Sequence, residues 1–208
     1  MAVDLASLLA PWRTAVVTSE IQNGVIGEQA ALPQLAEAAR GGMLPALAKL
    51  VKGARVAGAE VVHCTFEQRI DGKGGNTNAR LFGGVAKAPV KLLRGTPAAK
   101  VVDAVGVDPS DIVLTRSHGL NPMSGTDLDP ILRNLGVTTI VVAGVSVNVA
   151  IPNLVMEAVN RGYDVVLPRD AVCGVPASYA KAVIDNTLSL LATVTTVDEV
   201  VKVWEADA

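Results

Sequence analysis

The sequence predicts a three-layer α/β/α fold on a six-stranded, mostly parallel sheet. Three observations carry this expectation. Short β-branched runs alternate with longer helical stretches, the signature of strands joined by crossover helices. The runs are continuously apolar instead of alternating, as strands buried on both faces require. The chain has 208 residues, half of them hydrophobic, which suits one domain, taken as residues 1–208, with a sizeable core.

The strands are expected at Thr14–Thr18, Glu60–Thr65, Asp111–Thr115, Thr139–Ala143, Asp164–Leu167 and Thr193–Thr195. Between the first two, Pro33–Ala57 reads as helix, with Leu44, Leu47, Leu50 and Val51 as its buried stripe. A break is expected at Gly41-Gly42, where backbone freedom is greatest. Phe66–Lys100 is rich in Gly, Asn and Lys and reads as a long loop with short helical pieces that covers a site or a neighbouring subunit. Thr126-Asp-Leu-Asp129 reads as a helix N-cap in which Asp129 reaches back, its helix running through Leu132 and Leu135 to Gly136. A helix follows the fourth strand through Met156 and Val159 to Gly162, and another covers Tyr179–Leu191.

Composition narrows the function. Only 3% of residues are aromatic, which argues against stacking platforms for single-stranded nucleic acid. Eighteen Lys plus Arg against 20 Asp plus Glu give a net charge of -2, so a phosphate backbone finds little electrostatic support. Mean hydropathy is +0.40, but the most apolar stretch, Thr139–Ile151, is short and interrupted by Ser146 and Asn148, and reads as a buried strand and its sequel, not a membrane span. The start, Met-Ala-Val-Asp-Leu, lacks the basic and apolar regions of a secretory signal. Two Cys and two His form no zinc-ligand spacing, and such cysteine usage fits a reducing cytoplasm. Gly72-Lys-Gly-Gly-Asn-Thr77 lacks the spacing of a phosphate-binding loop.

In an open parallel sheet, ligands sit beyond the carboxyl ends of the strands. The first strand exits into Ser19-Glu20-Ile21-Gln22, the second into Phe66-Glu67-Gln68, the third into Arg116-Ser117-His118, and the fourth into Gly144-Val-Ser-Val-Asn148. Topology therefore brings Glu20, Arg116 and the Ser146 turn toward one crevice, with Gln22, Gln68, His118 and Asn148 as further pocket candidates. Ser117 and Ser146 have no nearby His-Asp partners in sequence, against a serine nucleophile. Cys64 reads as a small buried hydrophobe, and Cys173 follows the fifth strand, where a free thiol is usually structural.

The chain resembles the isochorismatase-like hydrolase superfamily in Ala15-Val-Val-Thr-Ser-Glu-Ile-Gln-Asn23, in Ile112–Arg116 followed by Ser124-Gly-Thr-Asp-Leu128, and in Val141-Val-Ala-Gly-Val-Ser-Val-Asn-Val-Ala150. The resemblance covers residues 13 to about 200 and implies a parallel, Rossmann-like sheet covered by helices on both faces. Amide-cleaving members carry an aspartate after the first strand, a lysine after the third and a nucleophilic cysteine after the fourth. Glu20, Arg116 and Ala150 stand at these positions. Ala150 has no atom able to attack a carbonyl, which excludes a thioester there. Isochorismatases likewise carry a small residue at that point, since cleaving a vinyl ether needs a proton delivered to the enol carbon and attack by water.

On this resemblance Glu20 is the proton donor, a role open to a carboxylic acid in a partly desolvated crevice, and Arg116 orients a substrate carboxylate. Glutamate moves the carboxyl by roughly 1.5 Å relative to aspartate, and errors near 1 Å cost about a hundredfold in rate. Arginine, unlike lysine, cannot share its proton. The family's non-proline cis peptide falls at Val145-Ser146, which would form an oxyanion cradle with the amide of Ala150. The Asp-x-His of nicotinamidases has no counterpart in Thr65–Asp71, so neither a catalytic metal nor a cofactor is expected. The leading expectation is a cytoplasmic, homo-oligomeric (dimeric or tetrameric) hydrolase of a small carboxylated or carbonyl-containing metabolite. The alternative is a catalytically silent ligand-binding or scaffold protein in which Glu20 and Arg116 simply pair.

Overall fold

A computed structural model describes residues 4–206; Met1–Val3 of the N-terminal segment read above lie outside them. In chain order the elements are α1 (Leu5–Leu8), β1 (Thr14–Ser19), α2 (Asn23–Ile26), α3 (Pro33–Ala38), α4 (Leu44–Ala57), β2 (Glu60–Phe66), α5 (Arg80–Lys87), β3 (Ile112–Arg116), α6 (Leu128–Asn134), β4 (Thr139–Val145), α7 (Ala150–Asn160), β5 (Asp164–Pro168), β6 (Val172–Cys173), α8 (Ala177–Asn186), β7 (Thr193–Thr195) and α9 (Val197–Ala206).

The main path of the sheet runs β3-β2-β1-β4-β5-β7, and every strand pairing is parallel. All six expected strands are present, and the two-residue β6 adds a seventh beside β4. β4 changes partners along its length. It pairs with β5 as far as Val141 and with β6 at Gly144 and Val145, so the sheet splits as it nears its carboxyl end. Central β1 and β4 are buried throughout. Their alternate residues feed two separate cores, Val16 and Val141 packing with α4 and α9, Val17 and Val142 with α6, α7 and α8. This two-sided burial is the physical reason for the continuously apolar runs.

Two local expectations need correction. Gly41-Gly42 does not break the helix; residues Ala39–Met43 form a π-helical turn that joins α3 to α4 without interruption. Glycine's freedom is taken up by the wider turn, a common use of one-turn π-bulges. Thr126 Oγ1 does accept from the Leu128 N–H at 3.1 Å, but Asp127 is the N-cap residue and Asp129 does not reach back. Asp129 binds Arg161 Nη1 at 3.0 Å and Tyr163 Oη at 2.8 Å, tying α6 to the end of α7. The sequence reading also missed α9. Its Val197, Val200, Val201 and Trp204 are buried against α4, and the Trp204 indole N–H donates to the Leu9 carbonyl at 2.9 Å.

Candidate functional site

Glu20 follows β1 directly, its N–H held by the Cys64 carbonyl at 2.9 Å. Its φ of +52° is left-handed, alone among the described non-glycine residues. That region costs an ordinary side chain on the order of 1–3 kcal/mol, and such strain gathers at functional sites. Gly144, the neighbour of Ser19 across β4, has φ of +102°, and a Cβ there would strike the Ser19 carbonyl. Glycine therefore lets the β4 exit pass close to β1 and brings the next turn toward Glu20.

Arg116 closes β3 and pairs in register with Phe66. Its side chain is 4% exposed, and the guanidinium lies 5.2 Å from the Phe66 ring centroid. Nη2 donates to Glu20 Oε1, while Nε and Nη1 are buried without an acceptor among the protein atoms. Buried donors are nearly always satisfied, so two on one cation require an explanation.

The third component is the β4–α7 turn. The Val145-Ser146 peptide is cis, where the resemblance placed it. The N–H groups of Val149 and Ile151 both donate to the Ser146 carbonyl, at 3.2 and 3.1 Å. Ala150, first residue of α7, is buried and contributes a methyl group to the wall. Glu20, Arg116, Val145, Ser146, Asn148 and Ala150 border one chamber of about 230 Å³, closed on its apolar side by the Phe66, Leu81, Phe82 and Val85 side chains.

The remaining sequence candidates divide. Asn148 lines the chamber, yet its amide clamps the Val175 backbone, accepting at 2.9 Å and donating at 2.6 Å. Gln22 is fully buried behind the site, bonded to the Phe66 N–H and to the Phe66 and Ala99 carbonyls at 2.7–2.9 Å; it fastens the loop to the sheet instead of facing a ligand. Gln68 and His118 border a separate cavity of about 140 Å³ under Phe82. Cys173 opens onto another crevice, beside Lys181 and Asp185. Burial pushes its thiol up to about 11 and that of Cys64 to about 12, so neither supplies a thiolate at neutral pH. Among the described residues, no three His, Cys, Asp or Glu side chains gather as metal ligands.

The sequence reading missed the apolar walls and one buried polar chain. The walls were legible as Leu81, Val85 and Ala88, spaced as one face of a short helix. The polar chain runs from Thr18 Oγ1 to His63 Nδ1 at 2.9 Å, from His63 Nε2 to Asp111 Oδ2 at 3.1 Å, and on to Arg55 Nη2 at 2.6 Å. His63 is fully enclosed, and desolvation lowers its pKa despite the neighbouring Asp111 charge. This arrangement braces β1, β2 and α4 and is closed to substrate. No local sequence pattern joins residues so far apart.

Polar groups converge at the carboxyl ends of the parallel strands, under an apolar cover, the place where open α/β sheets hold their ligands. The isochorismatase domain model matches residues 14–199; the chain belongs to the isochorismatase family. It is 26% identical over 162 residues, 77% of each chain, to the uncharacterized isochorismatase family protein YwoC of Bacillus subtilis. Over 90 residues, 42% of each chain, it is 31% identical to a maleamate amidohydrolase of Pseudomonas putida. Among solved structures, a cysteine hydrolase from Pseudomonas syringae pv. phaseolicola superposes with a TM-score of 0.83 at 25% identity, covering 95% of both chains. No helix among the described residues is long and apolar enough to cross a membrane.

Proposed function

We propose that the chain acts in the cytoplasm as a single-domain, homo-oligomeric hydrolase of a small carboxylated or carbonyl-containing metabolite, without a cysteine acyl intermediate. The observation that carries this reading is Arg116, a buried cation short of two acceptors, beside Glu20 in a chamber whose helix start offers only the Ala150 methyl. A substrate carboxylate can take the place of Glu20 on Nη2, and its pairing with a guanidinium is among the stronger hydrogen-bonded contacts. As it engages Arg116, it releases the Glu20 carboxyl for proton transfer.

For a vinyl ether, Glu20 gives its proton to the enol carbon, and water adds to the resulting oxocarbenium carbon. The added water returns a proton to Glu20, and the hemiketal collapses to a ketone and an alcohol. Ala150 removes the competing covalent route. The partial likeness to a maleamate amidohydrolase agrees with hydrolysis of a small molecule.

The test is a panel of vinyl ethers, amides and esters given to the wild type and to Glu20→Gln, with folding verified by circular dichroism. Turnover of at least one class is expected, and loss of the proton carrier lowers kcat by about 10²–10⁴-fold. No turnover of any class by folded wild type, with Glu20→Gln changing nothing, rejects the enzyme reading. The existing Glu20–Arg116 pair then favours the silent alternative, whose mark is a ligand that raises Tm and is recovered unchanged.

A further inference from the structure

The chamber at Arg116 has a neighbour on the far side of its apolar wall. Glu20, Val25, Leu32, Phe66, Leu81 and Val85 are shared with a second chamber of about 310 Å³, lying under α5. That space is bounded further by Ala31, Ala88, Val90 and Leu92, and Glu20 is the one acidic side chain on either wall. Leu81, Gly84 and Val85 fall at i, i+3 and i+4, so a single face of α5 roofs it, continued by the C-cap residue Ala88. A Cβ placed on Gly84 would meet nothing within 4 Å. The helix therefore has room at this lining position for a longer side chain. Arg80 and Lys87 stand at the rim, and neither forms an ion pair among the described residues.

We propose that the substrate is an amphiphilic carboxylate, its head on Arg116 and an apolar body of several carbons in the chamber under α5, so that the length of that body sets specificity. The proposal rests on the reading of Arg116 as a carboxylate receptor. The chemistry of the two adjoining chambers is complementary: a buried cation in one, aliphatic and aromatic walls between and beyond, and rim cations on the other that draw anions toward it. Small-ligand sites have this character, mostly apolar with a few placed polar groups that fix orientation. A short, fully polar carboxylate would leave the larger chamber unused.

The experiment is calorimetric titration of the full chain with unreactive straight-chain carboxylates from acetate to octanoate, below their aggregation concentrations. Burying a methylene is worth about 0.8 kcal/mol, a fourfold gain in affinity. Wild-type Kd is thus expected to fall by about fourfold per carbon over at least four successive carbons. Gly84→Leu, which adds a helix-favouring side chain without a positive φ to accommodate, occupies this room; it should leave acetate binding unchanged and weaken octanoate at least tenfold. Gly84→Ala, which strengthens the helix without filling the chamber, should keep the wild-type series.

A flat series, with Gly84→Leu indistinguishable from Gly84→Ala, overturns the chain-length inference while leaving the Arg116 reading intact. A rising series that is equally strong in Arg116→Met overturns the Arg116 reading, and the proposed orientation with it. Failure of folded wild type to bind any member of the series overturns both.

Discussion

Replacing Arg116 by methionine asks whether the guanidinium is kept for a ligand or for the fold. Methionine retains much of the volume, removes the charge and can adapt to an irregular space. Nε and Nη1 are buried without acceptors, and each such donor costs about 1–3 kcal/mol, so the substitution recovers about 4 kcal/mol at the middle of that range. Against it stand the contact over Phe66, worth about 1 kcal/mol, and the Glu20 pair. Breaking a buried pair costs about 3–5 kcal/mol when the surviving charge is stranded, but Glu20 is 24% exposed and can turn to water, which puts the loss near the lower limit. The terms nearly cancel, and Arg116→Met is expected within about 1 kcal/mol of wild type. Glu20→Gln instead leaves a cation that is 4% exposed with only a neutral partner, at a cost of about 3 kcal/mol. Urea unfolding followed by circular dichroism measures both, and the double variant should recover most of the Glu20→Gln loss. If Arg116→Met costs as much as Glu20→Gln, the arginine is a structural cation, and its selection for a ligand is refuted.

Two further predictions concern what holds the site in place. Desolvation holds the His63 pKa below its usual 6.5, so the unfolded state takes up a proton first. Stability is therefore full above that pH and falls as pH drops below it, by at most about 1.4 kcal/mol per unit. Burial alone would raise Asp111, but the Arg55, Asp108 N–H and His63 contacts carry it below 3.8, so its own contribution is lost only at lower pH. Profiles of Tm between pH 7 and 5 should accordingly flatten in His63→Gln; an unchanged difference in slope would count against the buried-neutral assignment. Gly144→Ala combines a positive φ with a clash against the Ser19 carbonyl, each worth about 1–2 kcal/mol or more, so a loss of at least about 2 kcal/mol should lower the urea midpoint. A loss below about 1 kcal/mol would mean that β1 and β4 can separate freely at their exits.

The central strands were legible because burial on both faces writes itself into each run separately. Val61, Val62 and Cys64 need no knowledge of what pairs with them. Helix α9 escaped because only its packing against α4 and the indole bond to Leu9 define it, contacts that join the two ends of the chain. At the site, strand ends pointed to Glu20, Arg116 and the Ser146 turn, since topology alone delivers them to one side of the sheet. Gln22 and His118 left the same strand ends yet do not border the chamber, because the direction of a side chain after a turn depends on its φ and ψ. Glu20 itself depends on a left-handed backbone that nothing in its residue type signals.

The strand order explains why the pair closes at all. Between β1 and β3 lies β2, so Glu20 and Arg116 leave strands separated by two spacings, about 9.5 Å. Short side chains would leave the gap open for a ligand to bridge. Here glutamate stands where the resemblance expects aspartate and arginine where it expects lysine, and each is longer by about one atom along its reach. Together they meet across the Phe66 strand end, which makes the resting site a self-paired one. A carboxylate ligand must then compete with Glu20 for Arg116 instead of filling an empty position, so part of its binding energy is spent in separating the pair. The apolar chamber under α5 offers a source of that energy away from the reacting groups. A ligand too short to reach it has only the exchange of one carboxylate for another, a smaller gain than a longer ligand draws from the apolar walls. On the proposed reading, the same lengthening that closes the pair makes the remote apolar contact the term that ranks carboxylates by affinity.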